Sequence, residues 1–231
     1  MEVPHRYQRN IGPLTPEEQA RLGQSRVCVI GCGGLGGWLI EFVGRLGVGH
    51  ITAVDGDCFD ETNLNRQLLS TEDNLGESKA AAAKIRMEAV NPTVRVESVR
   101  EFLTEENAAA ILENHHIVID ALDSIPHRLI LQKTCRELNI PLVHGAVDGW
   151  FAQVCTVLPG EDTLSRLYPM RIAAADQGGS PAVGTLAFVP ALAASIQVSE
   201  AVKLLLHKDQ ILSGRVLFAD LLTNHFDILQ I

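Results

Sequence analysis

Two spacings of apolar residues run along this chain, one fitting strands and one fitting helices, and the switches between them delimit the elements. Residues 26–30 form a short apolar run of buried-strand length. Gly31-Cys32-Gly33-Gly34-Leu35-Gly36-Gly37 follows, and apolar residues then recur at helical spacing to Leu46. A second apolar run at 50–54 ends on Asp55, and a long polar stretch continues to Leu75. Gly76-Glu77-Ser78-Lys79 opens an alanine-rich helix that reaches Val90 and is stopped by Asn91-Pro92. Alternation at 94–99 predicts a strand, and Thr104 is placed to cap a helix to Glu113. Ile117-Val118-Ile119-Asp120 reads as a buried parallel strand entering the turn Ala121-Leu122-Asp123-Ser124.

The rest of the pattern predicts a helix at 125–138, strands at 141–147 and 152–158, a helix at 185–206 and a hairpin from 216–220 and 226–229. Residues 159–184 are rich in Gly, Pro, Ser and Asp without periodicity, which predicts a loop or crossover. Upstream, Thr15-Pro16-Glu17-Glu18 combines a cap, a first-turn proline and a capping-box glutamate, so a short helix should run through Leu22. Residues 2–11 are polar, and by composition they read as a solvated arm. Strands alternating with helices predict an α/β fold: a Rossmann-like, doubly wound sheet, mostly parallel, with antiparallel strands added in the C-terminal part. Residues 1–24 would be an arm and short helix, and 25–231 a single nucleotide-binding domain.

The first strand, glycine turn and helix carry the clearest chemistry. Gly31, Gly33 and Gly36 fit G-x-G-x-x-G, and Asp55 ends the next strand about 20 residues on, where a ribose-binding acid belongs. The helix start then offers free N–H groups and a positive dipole end to a phosphate. Asp57, Asp60, Asn63, Asn65, Arg66 and Gln67 lie in the polar connection after Asp55, which is longer than an ordinary dinucleotide fold needs. Lys79 stands in the first turn of its helix, against the dipole, so it either points into solvent or is held by an anion. Asp120 and Asp123 lie at the C-terminal end of their strand, on the sheet edge of the glycine turn. Asp123 suits either a helix cap or Mg²⁺. Arg9, Arg66, Lys79 and Asp123 together make an inventory for attack on a nucleoside triphosphate, which needs charge neutralisation and alignment more than a protein nucleophile.

Composition narrows the alternatives. A net charge of −9 with no basic block disfavours nucleic acid as a partner. The start of the chain has no signal-peptide core, and the apolar run at 186–198 contains Pro190 and Gln197 and reads as too short to span a bilayer. Five cysteines, an odd number with no C-x-x-C pair, argue against a disulfide framework and fit a reducing, cytoplasmic setting. There is no H-E-x-x-H and no G-x-S-x-G. An NAD-dependent oxidoreductase is disfavoured by the loop at 55–75.

Six motifs occur in order: Arg6-Tyr7-x-Arg9, Gly31-x-Gly33-Gly34-Leu35-Gly36, Val54-Asp55-x-Asp57, Asn63-Leu64-x-Arg66-Gln67, Gly76-x-x-Lys79 and Asp120-x-x-Asp123. With them the chain resembles, over roughly residues 5–207, the ubiquitin-activating-like adenylating enzymes. Bacterial members of that family are the molybdopterin-synthase and thiamine sulfur-carrier adenylyltransferases. The resemblance implies that ATP reacts with the C-terminal Gly-Gly carboxylate of a small ubiquitin-like sulfur-carrier protein, giving an acyl-adenylate and pyrophosphate. It implies an ATP site drawn from Gly31, Gly33, Gly34, Gly36, Asp55, Asp57, Asn63, Arg66, Gln67 and Lys79. Asp55 would hold the ribose, Asn63, Arg66 and Lys79 the phosphates, and Asp123 Mg²⁺. Arg9 would reach into the partner subunit's site of a homodimer. Two departures stand out. Thr163-Leu164-Ser165-Arg166 falls where the family often has the first zinc-binding C-x-x-C, so no structural zinc is expected. Residues 156–231 contain no cysteine, so a thioester on the crossover is not expected, and sulfur would come from a separate donor. Two other readings stay open: adenylation of a peptide or tRNA-linked carboxylate, and a non-catalytic nucleotide-binding dimer partner.

Overall fold

The computed structural model describes residues 2–169 and 184–231. Its strands are β1 (Arg26–Ile30), β2 (His50–Val54), β3 (Arg95–Val99), β4 (Ile117–Asp120), β5 (Leu142–Asp148), β6 (Phe151–Val157), β7 (Arg215–Asp220) and β8 (His225–Gln230). They form one 8-stranded sheet in the order β3-β2-β1-β4-β5-β6-β7-β8. Pairing is parallel from β3 across to β5 and antiparallel from β5 to β8. The chain leaves β1 in one direction to build β2 and β3, then returns to β1's other side to lay down β4. The C-terminal ends of β1 and β4 are therefore the topological switch point, where ligands of open α/β sheets bind.

The helices are α1 (Pro16–Gly23), α2 (Gly36–Leu46), α3 (Lys79–Val90), α4 (Ala108–Leu112), α5 (Ile125–Glu137), α6 (Thr163–Leu167) and α7 (Phe188–Leu205). The two-residue period of β1 explains why both faces of the sheet are covered. Val27 and Val29 join one core cluster with Leu39, Ile40 and Val43 of α2 and Ala193, Ala194 and Ala201 of α7. Cys28 and Ile30 join the opposite cluster with Leu112 of α4 and Leu131 and Cys135 of α5. By length and composition α7 is apolar enough to cross a membrane, although 186–198 alone read as too short. It packs instead against α2, β5 and β6, and its Glu200 carboxylate accepts from the Thr156 hydroxyl at 2.8 Å and the Leu212 N–H at 2.6 Å.

Most predicted elements are present within a residue or two. The Thr15 capping box forms, with Glu18 N–H donating to Oγ1 at 3.2 Å and Thr15 N–H to the Glu18 carboxylate at 2.9 Å. Three readings need correction. The helix expected over 104–113 is regular only over α4, although Thr104 caps it as expected: Asn107 Oδ1 accepts from the Thr104 N–H at 2.8 Å and Thr104 Oγ1 from the Asn107 N–H at 3.3 Å. That reciprocal pair is capping-box geometry, and the Ala108 N–H donates to the Thr104 carbonyl at 3.0 Å, so 105–107 form a hydrogen-bonded turn leading into the helix. Of the loop expected at 159–184, residues 170–183 lie outside the described residues, and the described part contains α6. The arm is not simply solvated: His5–Asn10 is a 3₁₀ helix with Tyr7 buried against the Gly47 turn that ends α2.

Asn91, just past α3, locks that arm down. Its Nδ2 donates to the Tyr7 hydroxyl and to the Gly44 carbonyl, each at 2.8 Å. Asn91→Ala leaves both acceptors buried without their donor and should cost about 1–3 kcal/mol in chemical denaturation; unchanged stability would show that the arm is held by something else.

Candidate functional site

The glycine turn is wedged between two strand ends. Gly31 N–H donates to the Val54 carbonyl at 2.8 Å, and Ala121 N–H donates to the Ile30 carbonyl at 2.9 Å. Gly31 has φ +96°, and a Cβ there would lie 2.6 Å from the Ala121 oxygen. A Cβ on Gly36 would lie 1.8 Å from the Gly31 oxygen. Only glycine lets α2 begin this close to β1, and this close start aims the helix's free N–H groups into the switch-point crevice.

Asp55 braces the turn. Its Oδ2 accepts from the Cys32 N–H at 2.7 Å and its Oδ1 from the Asp57 N–H at 2.8 Å. Burial raises its pKa above the usual carboxylate value, with those two N–H groups and the Lys79 ammonium pulling the other way. Lys79, the first residue of α3, is 8% exposed and turns inward. Its Nζ lies 3.3 Å from Asp57 Oδ2, and its N–H donates to the Asp57 carbonyl at 3.0 Å. Of the two alternatives for Lys79, pointing into solvent is thereby removed.

The polar connection folds over the turn as two 3₁₀ turns, Glu61–Asn63 and Glu72–Asn74. Asn63 is buried and engaged locally, its Oδ1 accepting from the Asp60 N–H at 3.2 Å. Arg66 Nη1 donates to the Thr62 carbonyl and to Asn65 Oδ1, both at 2.9 Å, and its stem lies beside Gly34. Gln67 sits over Gly33, and its Oε1 is buried without a hydrogen-bond partner among the described residues. That unpaired oxygen is an acceptor suited to an N–H or O–H donor of a ligand in the crevice.

The two acids at the end of β4 divide their roles. Asp120 is fully buried, and its Oδ1 accepts from the Leu122 N–H at 2.8 Å and its Oδ2 bonds His144 Nδ1 at 2.6 Å. It is a structural group, although both acids read from the sequence as standing on the rim. Asp123 is exposed in the turn beside Gly31 and does not cap α5, whose N-cap is Ser124, with no side-chain bond to the helix's backbone N–H groups. Among the described residues no group of three His, Cys, Asp or Glu is placed to hold a metal. A single carboxylate beside a phosphate site still fits Mg²⁺, which commonly takes one or two carboxylates plus substrate phosphates.

Arg9 is not brought to this crevice. Its 3₁₀ helix is pinned at the C-terminal end of α2, so the helix length, about 16 Å at 1.5 Å per residue, separates it from the glycine turn. Cys28, Cys32, Cys135 and Cys155 are buried, and burial pushes the thiols of Cys135 and Cys155 up to about 12, far from any thiolate. Only Cys58 is exposed. Two features escaped the sequence reading: Phe102, whose ring lies against Gly56 next to Asp55, and the buried cluster of Asp120, Arg128, His144 and Tyr168. Phe102 left a weak signal, an apolar residue after a strand end. The cluster left none, because its members are far apart in sequence.

Known proteins resemble this chain in sequence and in fold. The model of the ThiF family matches residues 7–231. The SAMP-activating enzyme E1 of Haloferax volcanii is 37% identical over 227 residues, covering 96% of this chain and 83% of that protein. The sulfur carrier protein adenylyltransferase of Thermus thermophilus is 35% identical over 229 residues, covering 96% of this chain and 84% of that one. In fold alone, the E. coli MccB structure with ATP superposes at a TM-score of 0.85 with 22% identity, over 99% of this chain and 72% of that chain.

The two close approaches can be separated by substitution. Gly36→Ala drives a methyl into the Gly31 carbonyl and should cost about 1–3 kcal/mol of stability and most of the ATP affinity. Gly34→Ala meets only the flexible Arg66 stem, at 3.4 Å, and should fold normally. Equal effects from the two, in denaturation and equilibrium ATP binding, would contradict the wedge.

Proposed function

The chain belongs to the ThiF family of ubiquitin-activating-like adenylyltransferases, and on that footing we propose that it adenylates a small ubiquitin-like sulfur-carrier protein. In this reading a C-terminal Gly-Gly carboxylate oxygen attacks the α-phosphorus of ATP. The bond to the β-phosphate oxygen breaks, pyrophosphate leaves, and the carrier is left as a mixed acyl-phosphate anhydride with AMP. The observation that carries the reading is the convergence of the glycine turn, Arg66, Gln67 and Lys79 on one crevice, with the exposed Asp123 turn on its other side.

The nucleophile belongs to the substrate, so the chain's residues bind, orient and neutralise. Backbone N–H groups at Gly33, Gly34 and the start of α2 would receive phosphate oxygens. Lys79 and Arg66 would offset the negative charge that builds up as pyrophosphate departs. Asp55, already aligned by two backbone N–H groups, would accept a ribose hydroxyl. Asn63 and Gln67 would complete the polar wall. Asp123 would hold Mg²⁺, which supplies further charge neutralisation when bound with ATP. Because Arg9 lies a helix length from its own crevice, its role falls in the site of a second copy, in a homodimer. With the cysteines on the described core buried as neutral thiols, sulfur would be delivered to the adenylate by a separate donor. Free cysteines throughout fit a reducing cytoplasm. The product would feed molybdenum cofactor, thiamine or related sulfur transfer.

Exchange of labelled pyrophosphate into ATP tests the reaction. Exchange should depend on a carrier ending in Gly-Gly, and absence of exchange with every such carrier would leave a nucleotide-binding dimer partner instead. Asp123→Ala should lower exchange by about a hundredfold or more while the melting temperature stays put, and retained exchange would reject the metal role. In dimers that carry Arg9→Ala in one subunit only, one of the two sites should fail; equal loss at both sites would reject an exchanged arm.

A further inference from the structure

The buried cluster where β4 ends beside β5 has no part in the chemistry above. Asp120 and His144 face each other in register across the two strands, and both are fully buried. Burial lowers the pKa of His144, with the Asp120 carboxylate opposing it, which leaves the ring neutral at pH 7. Its hydrogen bonds then follow in only one way. Nδ1–H donates to Asp120 Oδ2 at 2.6 Å, and Nε2 accepts from the Tyr168 hydroxyl at 2.8 Å. The Tyr168 oxygen in turn accepts from Arg128 Nη1 at 3.2 Å and Gln153 Nε2 at 2.5 Å.

Arg128 shows where the cluster acts. The Asp120 carboxylate is 3.7 Å from its Nε, yet its closest bond, 2.5 Å from Nη2, goes to the backbone carbonyl of Leu122. Nε donates to the same carbonyl at 3.1 Å. Asp120 holds the other side of that residue, its Oδ1 accepting the Leu122 N–H at 2.8 Å. Both backbone groups of Leu122 are therefore fixed by the cluster, and the next residue is Asp123, whose carboxylate is exposed and has no protein partner among the described residues. The network thus fixes the peptide that immediately precedes an exposed acid.

We propose that Tyr168 and His144 are positioning residues for Asp123: through Arg128 and Asp120 they fix the Leu122 peptide and set the direction in which the Asp123 carboxylate meets a metal-bound triphosphate. This rests on the proposed function, since it takes the crevice to be a site for Mg²⁺ and ATP. Tyr168, just past α6, thereby ties that helix to the acidic turn, and a helix that looks peripheral becomes part of the site's support.

The test compares ATP binding by titration calorimetry in Mg²⁺ and in EDTA. Tyr168→Phe keeps the ring and removes the hydroxyl that joins His144 to Arg128. Affinity with Mg²⁺ should fall about tenfold and affinity without metal should not change. His144→Gln, which keeps one donor and one acceptor, should lose less than His144→Leu. Ser165→Ala removes a neighbouring α6 hydrogen bond, from Gln132 at 3.2 Å, and should leave the Mg²⁺ dependence untouched. If Tyr168→Phe lowers the melting temperature but moves both affinities equally, or neither, the cluster is structural only and the inference fails. Should wild-type ATP affinity be indifferent to Mg²⁺, the metal reading itself falls and takes this inference with it.

Discussion

The approach of Gly36 to the carbonyl of Gly31 is the contact on which the rest of the structure depends. An α-helix can start hard against a parallel strand only where neither backbone carries a side chain, and here a methyl at Gly36 would overlap the Gly31 oxygen. That one constraint fixes where α2 begins, and therefore where its unsatisfied N–H groups point. It also draws β4 in, because Gly31 has no room for a side chain against the Ala121 carbonyl. The turn after β4, which carries Asp123, is thus brought beside the glycine turn.

Around that wedge, charge is arranged against the trend of the molecule. The chain carries a net −9, yet Arg66 and Lys79 gather over the turn, and Lys79 does so at a helix N-terminus where the dipole opposes a cation. The Asp57 carboxylate, 3.3 Å from its Nζ, holds it there. Acids are sorted by burial: Asp120 is buried and bonded within the fold, and Asp123 is left free in solvent. Two acids spaced three apart at one strand end therefore have opposite surroundings, one bonded within the fold and one open to solvent.

Much of this was legible in the residues. The two-residue period that sends Val27 and Val29 to one face and Cys28 and Ile30 to the other marks β1 as a central strand. The glycine spacing, the acid at the end of β2 and the length of the 55–75 connection locate the crevice without coordinates. What stayed hidden depends on contacts between distant positions. Tyr7 stands in a motif of the polar arm, but its burial shows only when Asn91 reaches its hydroxyl across the fold. Thr104 reads as a cap and is one, but Asn107 answers it through its own side chain, and regular helix begins only at Ala108. His144 and Tyr168 carry no motif, and their meaning comes from meeting Asp120 and Arg128 in space.

Amide hydrogen exchange, with and without ATP and Mg²⁺, tests most directly whether the wedge is where the triphosphate sits. New protection should be confined to the glycine turn at 31–37, the cover at 63–67, the start of α3 at Lys79 and the turn at 121–124. Saturating ATP that protects other segments and leaves those four unchanged would contradict the account at its centre.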